Sequence, residues 1–434
     1  MEYAPLPINR TFTALLLASS TFAVSPALAQ DATVAPAQIA PIADTVTSAN
    51  TNSAYRDLLD KEHDGLIRAL KNGNDTLSQP VIDKAQQSSA VADTGWLKAS
   101  NYDFAVKDNQ DVNIKMLSPF TTLPRWLLQR SDITVAEINH GATADQQAHA
   151  VFDADAIFSL YFIPEALGPK LGAAFQAAYE KGEISKAAAL IKATEVSTGA
   201  AKSYFNYPRP FLVDGNSIRL VNDDYVAKDG APYSATAGAF PSGHTNTGYT
   251  DGLLLAEMLP ERFTALVDRG AGYGYSRIVL GVHYPLDVIG SRMIVERNVA
   301  HYLNDPAYHT LFVQARDELR AALEKECGVS IAECAKPADA KSDPWSDAAM
   351  RQFYHFTMTY DLPQSGVANA EMQVPEGAEV LLETLRPDLS AADRKDILKR
   401  TALASGYPLD SQDTKIGFWQ RIDLHEAALA VANH

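Results

Sequence analysis

Pro241-Ser242-Gly243-His244 reads as the head of a helix. Ser242 suits the N-cap, where its side-chain oxygen can take an N–H that the helix itself leaves unpaired. The first turn of a helix exposes free N–H groups and the positive end of the dipole, so an anion settles there. Gly243 has no side chain to hold such an anion away from the backbone. Alone, the tetrapeptide is a common capping turn. Two further blocks flank it. Before it stand Lys202 and, seven residues on, Arg209-Pro210. After it stand Ser276-Arg277, then His283, then Asp287.

Together the blocks supply three cations, two histidines, a carboxylate and a Ser-Gly turn. Arginine presents planar, paired donors to phosphoryl oxygens. A single Lys or Arg would be read as a surface ion pair. Asp287 follows His283 across a turn that Pro285 begins. A carboxylate there can take a hydrogen bond from one ring nitrogen and leave the other free to attack. In isolation His-x-x-x-Asp would be a capping Asp at a helix start. The whole inventory suits holding a phosphoryl group and passing it to and from an imidazole.

The three blocks, at all eleven positions and with intervening gaps of 211–240 and 245–275, resemble the type 2 phosphatidic acid phosphatase superfamily. That superfamily includes soluble bacterial acid phosphatases and vanadium haloperoxidases. The resemblance implies an all-α helical bundle. It makes His283 the nucleophile that forms a phosphohistidine, and His244 the general acid that then becomes the base for water. Asp287 completes the catalytic set. Lys202, Arg209, Ser242, Gly243 and Arg277 become the phosphate-binding residues. It also implies metal-independent chemistry with no cofactor, and vanadate as an inhibitor. Ala200-Ala201-Lys202, Pro241-Ser242-Gly243-His244-Thr245 and Gly281-Val282-His283 are most like the soluble non-specific acid phosphatases, which are helical, periplasmic and often oligomeric. The expected substrate is a small phosphate monoester, and a homo-oligomer is an open expectation.

Two neighbouring activities use the same residues. A vanadium haloperoxidase would hold vanadate, here as its cofactor, where the phosphoryl group sits; Thr245 favours the phosphatase. A phosphatase acting on lipid phosphates would work at a membrane surface. A protein that only binds phosphate would need the cations but not both histidines and Asp287.

Composition agrees with an exported enzyme acting on a small anion. Over 434 residues the net charge is −16, which argues against a chain that wraps nucleic acid. Arg10, the apolar run Phe12–Val24 and Ala27-Leu28-Ala29 form a secretory signal over residues 1–29, cleaved near Ala29. The run is too short to span a bilayer comfortably, so the mature protein is expected to be periplasmic or secreted, with no integral membrane segment. Cys327 and Cys334 are the only cysteines; in an oxidising compartment a local disulfide is expected.

Residues 30–115 read as a flexible leader, up to about residue 55, and an N-terminal extension with a helix over 56–71. A helical phosphatase domain follows over 116–336. Within it helices are predicted near 144–164, 168–181 and 184–206, with starts at Ser242 and Pro285. Residues 211–239 read as a loop over the site. Phe205, Tyr207, Phe211, Tyr225 and Tyr233 are either core aromatics or stacking partners for a leaving group. Asp223-Asp224 reads as a solvated pair. Residues 337–347 read as a linker. Residues 348–434 read as a C-terminal segment of unknown role, mostly helical, with a capping box at Ser390–Asp393, a helix from Ala378 to Leu385, and His355 and His425 as ordinary histidines.

Overall fold

The computed structural model describes residues 34–432, apart from 48–51, 76, 78–80, 82–83, 86–90 and 222–237. The predicted signal sequence over 1–29, Asp223-Asp224, Tyr225 and Tyr233 lie outside the described residues. Among these residues every regular element is helical, as an all-α fold requires.

The helix Gly243–Met258 is buried all round from Thr245 onward, which marks a central helix rather than an amphipathic surface one. Small residues let a second helix, Phe263–Val279, lie close against it. A Cβ on Gly252 would come within 2.7 Å of the Leu266 carbonyl oxygen, so only glycine fits. A third helix, Pro285–Leu303, packs on the same central rod. Its Pro285 stands at the first helical position, where a missing N–H costs nothing. These three carry the second and third sequence blocks. Ala144–Asp155 packs on Phe263–Val279, while Pro306–Cys327 packs on Pro169–Glu180 and Ser185–Thr194.

Several expectations are corrected. Part of the leader is ordered: Pro36–Thr45 is a helix against Arg125–Gly141. Ile39 and Ala43, four apart on one face, are buried. The next helix begins at Ser53, three residues earlier than predicted, because the Asn52 side chain takes the Ala54 N–H. The helix over 144–164 stops at Asp155, and the apolar run after it turns through short 3-10 segments at Ala156–Phe158 and Pro164–Leu167. The helix over 184–206 is two, Ser185–Thr194 and Gly199–Phe205. Near the break, the Thr194 hydroxyl bonds back to the Leu190 carbonyl, and Ser197-Thr198-Gly199 are poor helix formers.

Of the linker over 337–347, residues 337–341 are exposed but 342–345 are buried. Asp343 is fully buried against both terminal nitrogens of Arg262, at 2.8 and 2.7 Å, and Trp345 is buried. A buried guanidinium needs such an acceptor pair. The C-terminal segment has helices Met350–Thr357, Ala391–Arg400 and Leu424–Ala432. Ser390 caps the second through a capping box with Asp393, while the helix at Ala378 is only a 3-10 turn ending at Leu382. Its apolar residues join the same core as the motif helices. Cys327 and Cys334 form a disulfide across the turn at Gly328. Among the described residues, no helix is long and apolar enough to cross a membrane.

Candidate active site

Asp287 organises one side of the site. It is the third residue of its helix, and its Oδ2 accepts the Tyr284 N–H at 2.9 Å. The same oxygen lies 2.9 Å from Nδ1 of His283. Oδ2 already serves as an acceptor for the Tyr284 N–H, and accepting from His283 as well puts the hydrogen on Nδ1 and leaves Nε2 its lone pair. Arg209 Nη1 lies 3.2 Å from that Nε2 and donates to the Val282 carbonyl at 3.0 Å. Pro208 and Pro210 flank Arg209 and keep it extended, with φ −75° and ψ 153°. Asp287 also accepts on its backbone oxygen, from the Ser242 N–H at 3.1 Å. Ser291 donates its hydroxyl to the Ser242 carbonyl at 2.7 Å. The heads of two motif helices are thereby tied together.

At the head of the central helix, Ser242 is the N-cap and takes the Thr245 N–H at 3.2 Å. Thr245 also donates its hydroxyl to Ser242, at 2.9 Å. The residue that separated phosphatase from haloperoxidase in the sequence thus has a capping task. With the third N–H taken by Ser242, the Gly243 and His244 N–H groups remain as the donors that a helix start leaves without an internal acceptor.

Lys202 reaches the site from the last turn of Gly199–Phe205. Its Nζ donates to the carbonyls of Gly238 and Ala239, at 2.8 and 3.2 Å. Arg277, fully buried, donates through Nη2 to the Ala150 carbonyl at 2.6 Å. Its Nε and Nη2 both bond the Ser276 hydroxyl oxygen, at 3.1 and 2.8 Å. His244 Nε2 lies 3.2 Å from the Ala154 carbonyl. A carbonyl only accepts, so that nitrogen carries hydrogen and Nδ1 is left to exchange a proton.

Burial and converging charge set the protonation. His283 is held well below the ordinary imidazole range, first by burial, then by Arg209 and Lys202. His244 is also held well below it, by burial and then by Arg277. Burial, then Arg209, pulls Lys202 down to about 8, against the pull of Asp287. Burial pushes Asp287 up to about 7, opposed by the Tyr284 N–H and the two nearby cations.

Around this centre lies a second, fully buried set of charges that no motif announced. Arg269 is ion-paired with both Asp153 and Glu165. His149 Nε2 lies 3.1 Å from Glu165, and Glu62 takes the Glu165 N–H at 2.6 Å. Asp153 belongs to Ala144–Asp155, the helix whose carbonyls hold Arg277 and His244. The only sequence signal was a set of charged residues at inward helical positions. Of the candidate stacking aromatics, Phe205 and Tyr207 pack around Phe120 with Phe240, and Phe211 is half-buried against the core. His425 is an ordinary buried histidine, 2.8 Å from Asp268. His355 lies beside Asp423, at 3.3 Å. Among the described residues no group of three His, Cys, Asp or Glu is placed as a metal site would need.

Residues 185–296 match the model of the PAP2 superfamily. The chain is similar to a non-specific acid phosphatase of Salmonella typhimurium, 32% identical over 123 residues, which are 28% of this chain and 46% of that protein. A non-specific acid phosphatase of Providencia stuartii is 31% identical over 134 residues, 31% of this chain and 50% of that protein. An acid phosphatase of Zymomonas mobilis is 32% identical over 124 residues, 29% of this chain and 44% of that protein. The chain thus spans about half the length of these relatives. The matched stretch encloses Lys202, Arg209, Ser242, Gly243, His244, Arg277, His283 and Asp287, so all the candidate catalytic and phosphate-binding residues lie in the part of the chain that is similar to the PAP2 superfamily.

Proposed function

We propose that this chain is an exported, metal-independent acid phosphatase that hydrolyses small phosphate monoesters through a phosphohistidine on His283. The observation that carries this reading is His283 held between Asp287 and Arg209. That arrangement leaves a neutral imidazole with its Nε2 lone pair beside a guanidinium. An imidazole used as a nucleophile at acidic pH must resist protonation. Burial and the cations around His283 supply that resistance.

In the first step Nε2 of His283 attacks phosphorus, the N–P bond forms and the P–O bond to the leaving alcohol breaks. His244 gives its proton to the departing oxygen. Its low proton affinity makes it a willing donor, and the bound dianion favours the protonated form needed at the start. In the second step His244 takes a proton from water, the water oxygen attacks phosphorus, the N–P bond breaks and phosphate leaves. Lys202, Arg209, Arg277 and the free N–H groups of Gly243 and His244 offset the charge on the equatorial oxygens. Export rests on the signal sequence over residues 1–29.

The test is hydrolysis of a chromogenic aryl phosphate in EDTA by the mature protein and by His283→Ala. Turnover is expected in the first and is absent from the second, with vanadate a competitive inhibitor. Acid quenching should trap a phosphoenzyme only where His283 is present. Activity lost in EDTA and restored by a divalent metal would overturn the metal-free reading.

A further inference from the structure

Thr198 occupies the N-cap of Gly199–Phe205, yet its hydroxyl makes no capping bond. An N-cap threonine ordinarily spends its oxygen on an N–H of its own helix. Here the residue is only 7% exposed, and its hydroxyl is not spent on the helix that it opens. A hydroxyl left so is available to a ligand that reaches it.

The direction of that hydroxyl identifies the partner. A Cβ placed on Gly243 would meet Thr198 Oγ1 at 3.3 Å, and next Cε of Lys202 at 4.0 Å. Thr198 and Lys202 are four residues apart, so they share one side of the turn that faces Gly243. The space over the Gly243 Cα is thus bounded by a hydroxyl, a lysine stem and the unpaired N–H groups of the central helix. Glycine at 243 keeps the backbone open there, and Thr198 supplies a donor that no sequence block contains.

We infer that Thr198 is a further phosphate-binding residue, donating its hydroxyl to the phosphoryl oxygen held at the Gly243 end of the site. This rests on the phosphoryl-transfer reading above, but it concerns binding and can be tested without turnover.

The probe is vanadate, titrated calorimetrically against the mature protein, with inorganic phosphate as a second anion. Thr198→Val keeps the shape and removes the hydroxyl; Thr198→Ser keeps the hydroxyl. The valine variant should bind vanadate on the order of tenfold more weakly, as expected for one lost hydrogen bond to a charged group. The serine variant should bind within about twofold of wild type. Melting temperatures should match, since the hydroxyl supports no helix end. If the valine variant fails to melt cooperatively, Thr198→Ala is measured in its place.

Wild-type affinity in the valine or alanine variant would overturn the inference. So would a serine variant as weak as valine, since the methyl would then be what matters. Absence of vanadate binding by the wild type would overturn it as well. Normal vanadate binding without phosphatase turnover would instead defeat the hydrolytic reading while leaving Thr198 under test.

Discussion

The proposed mechanism asks His244 and His283 for opposite protonation states in one small volume. His283 must be neutral to attack, and His244 must carry a proton to release a poor leaving group. Both are held low by burial and by shared cations, so the substrate dianion has to restore the proton to His244. His244→Ala should therefore cost on the order of a hundredfold to ten-thousandfold with an alkyl phosphate, and far less with a nitrophenyl ester. Steady-state kinetics on the two substrates decides this; equal losses would remove His244 from the acid role. The same charges set the pH dependence. Lys202 is cationic below about 8 and loses its charge above it. The alkaline side of the profile should therefore fall as His244 and then Lys202 deprotonate, leaving an optimum in the acidic range.

At the scale of elements, three of the site's charged residues depend on where helices begin and end. Lys202 sits in a last turn, Asp287 in a first turn, and Arg277 near the end of its helix. Such positions are legible in sequence, because caps and prolines punctuate them: Ser242 and Pro285 announced two helix starts. The break before Gly199 was not legible, since Ala187–Ile191 and Ala200-Ala201-Lys202 share one helical texture. Nor was the role of Ala144–Asp155. That helix is fixed by Arg269, whose pairing with Asp153 is a contact across more than a hundred residues of sequence. Arg269→Leu leaves Asp153 and Glu165 buried without their cation and should destabilise the fold by about 3–5 kcal/mol. Urea unfolding at constant slope would show it. An unchanged midpoint would mean the network is not what holds this helix.

For the molecule as a whole, the C-terminal segment reaches each of the three central helices by a buried polar contact. Thr384 donates to Glu257 at 2.6 Å, His425 pairs with Asp268, and Arg292 donates to the carbonyls of Gln420 and Ile422 at 2.8 and 3.0 Å. The sequence marked a linker over 337–347 and a segment after it, but not these contacts, because each joins a residue of the segment to one distant in the chain. A chain ending at Pro337 would expose the core surfaces that Phe353, Leu381, Leu382 and Ile422 cover. It should lose cooperative thermal unfolding rather than merely lower its activity. Calorimetry and limited proteolysis of the shortened chain check this. A sharp transition with full activity would make residues 338–434 a separable appendage.

Arg277 and His244 find their acceptors in the main chain, at the carbonyls of Ala150 and Ala154. A carbonyl oxygen is present whatever side chain stands on its residue. Evolution can therefore rewrite both positions without deleting either acceptor, provided the helix keeps its place. Such sites leave little signature in a comparison of sequences, and a scan of alanine substitutions would pass over them in silence, since both are alanine already. What descends from ancestor to descendant at these two points is a curve of backbone, not a letter.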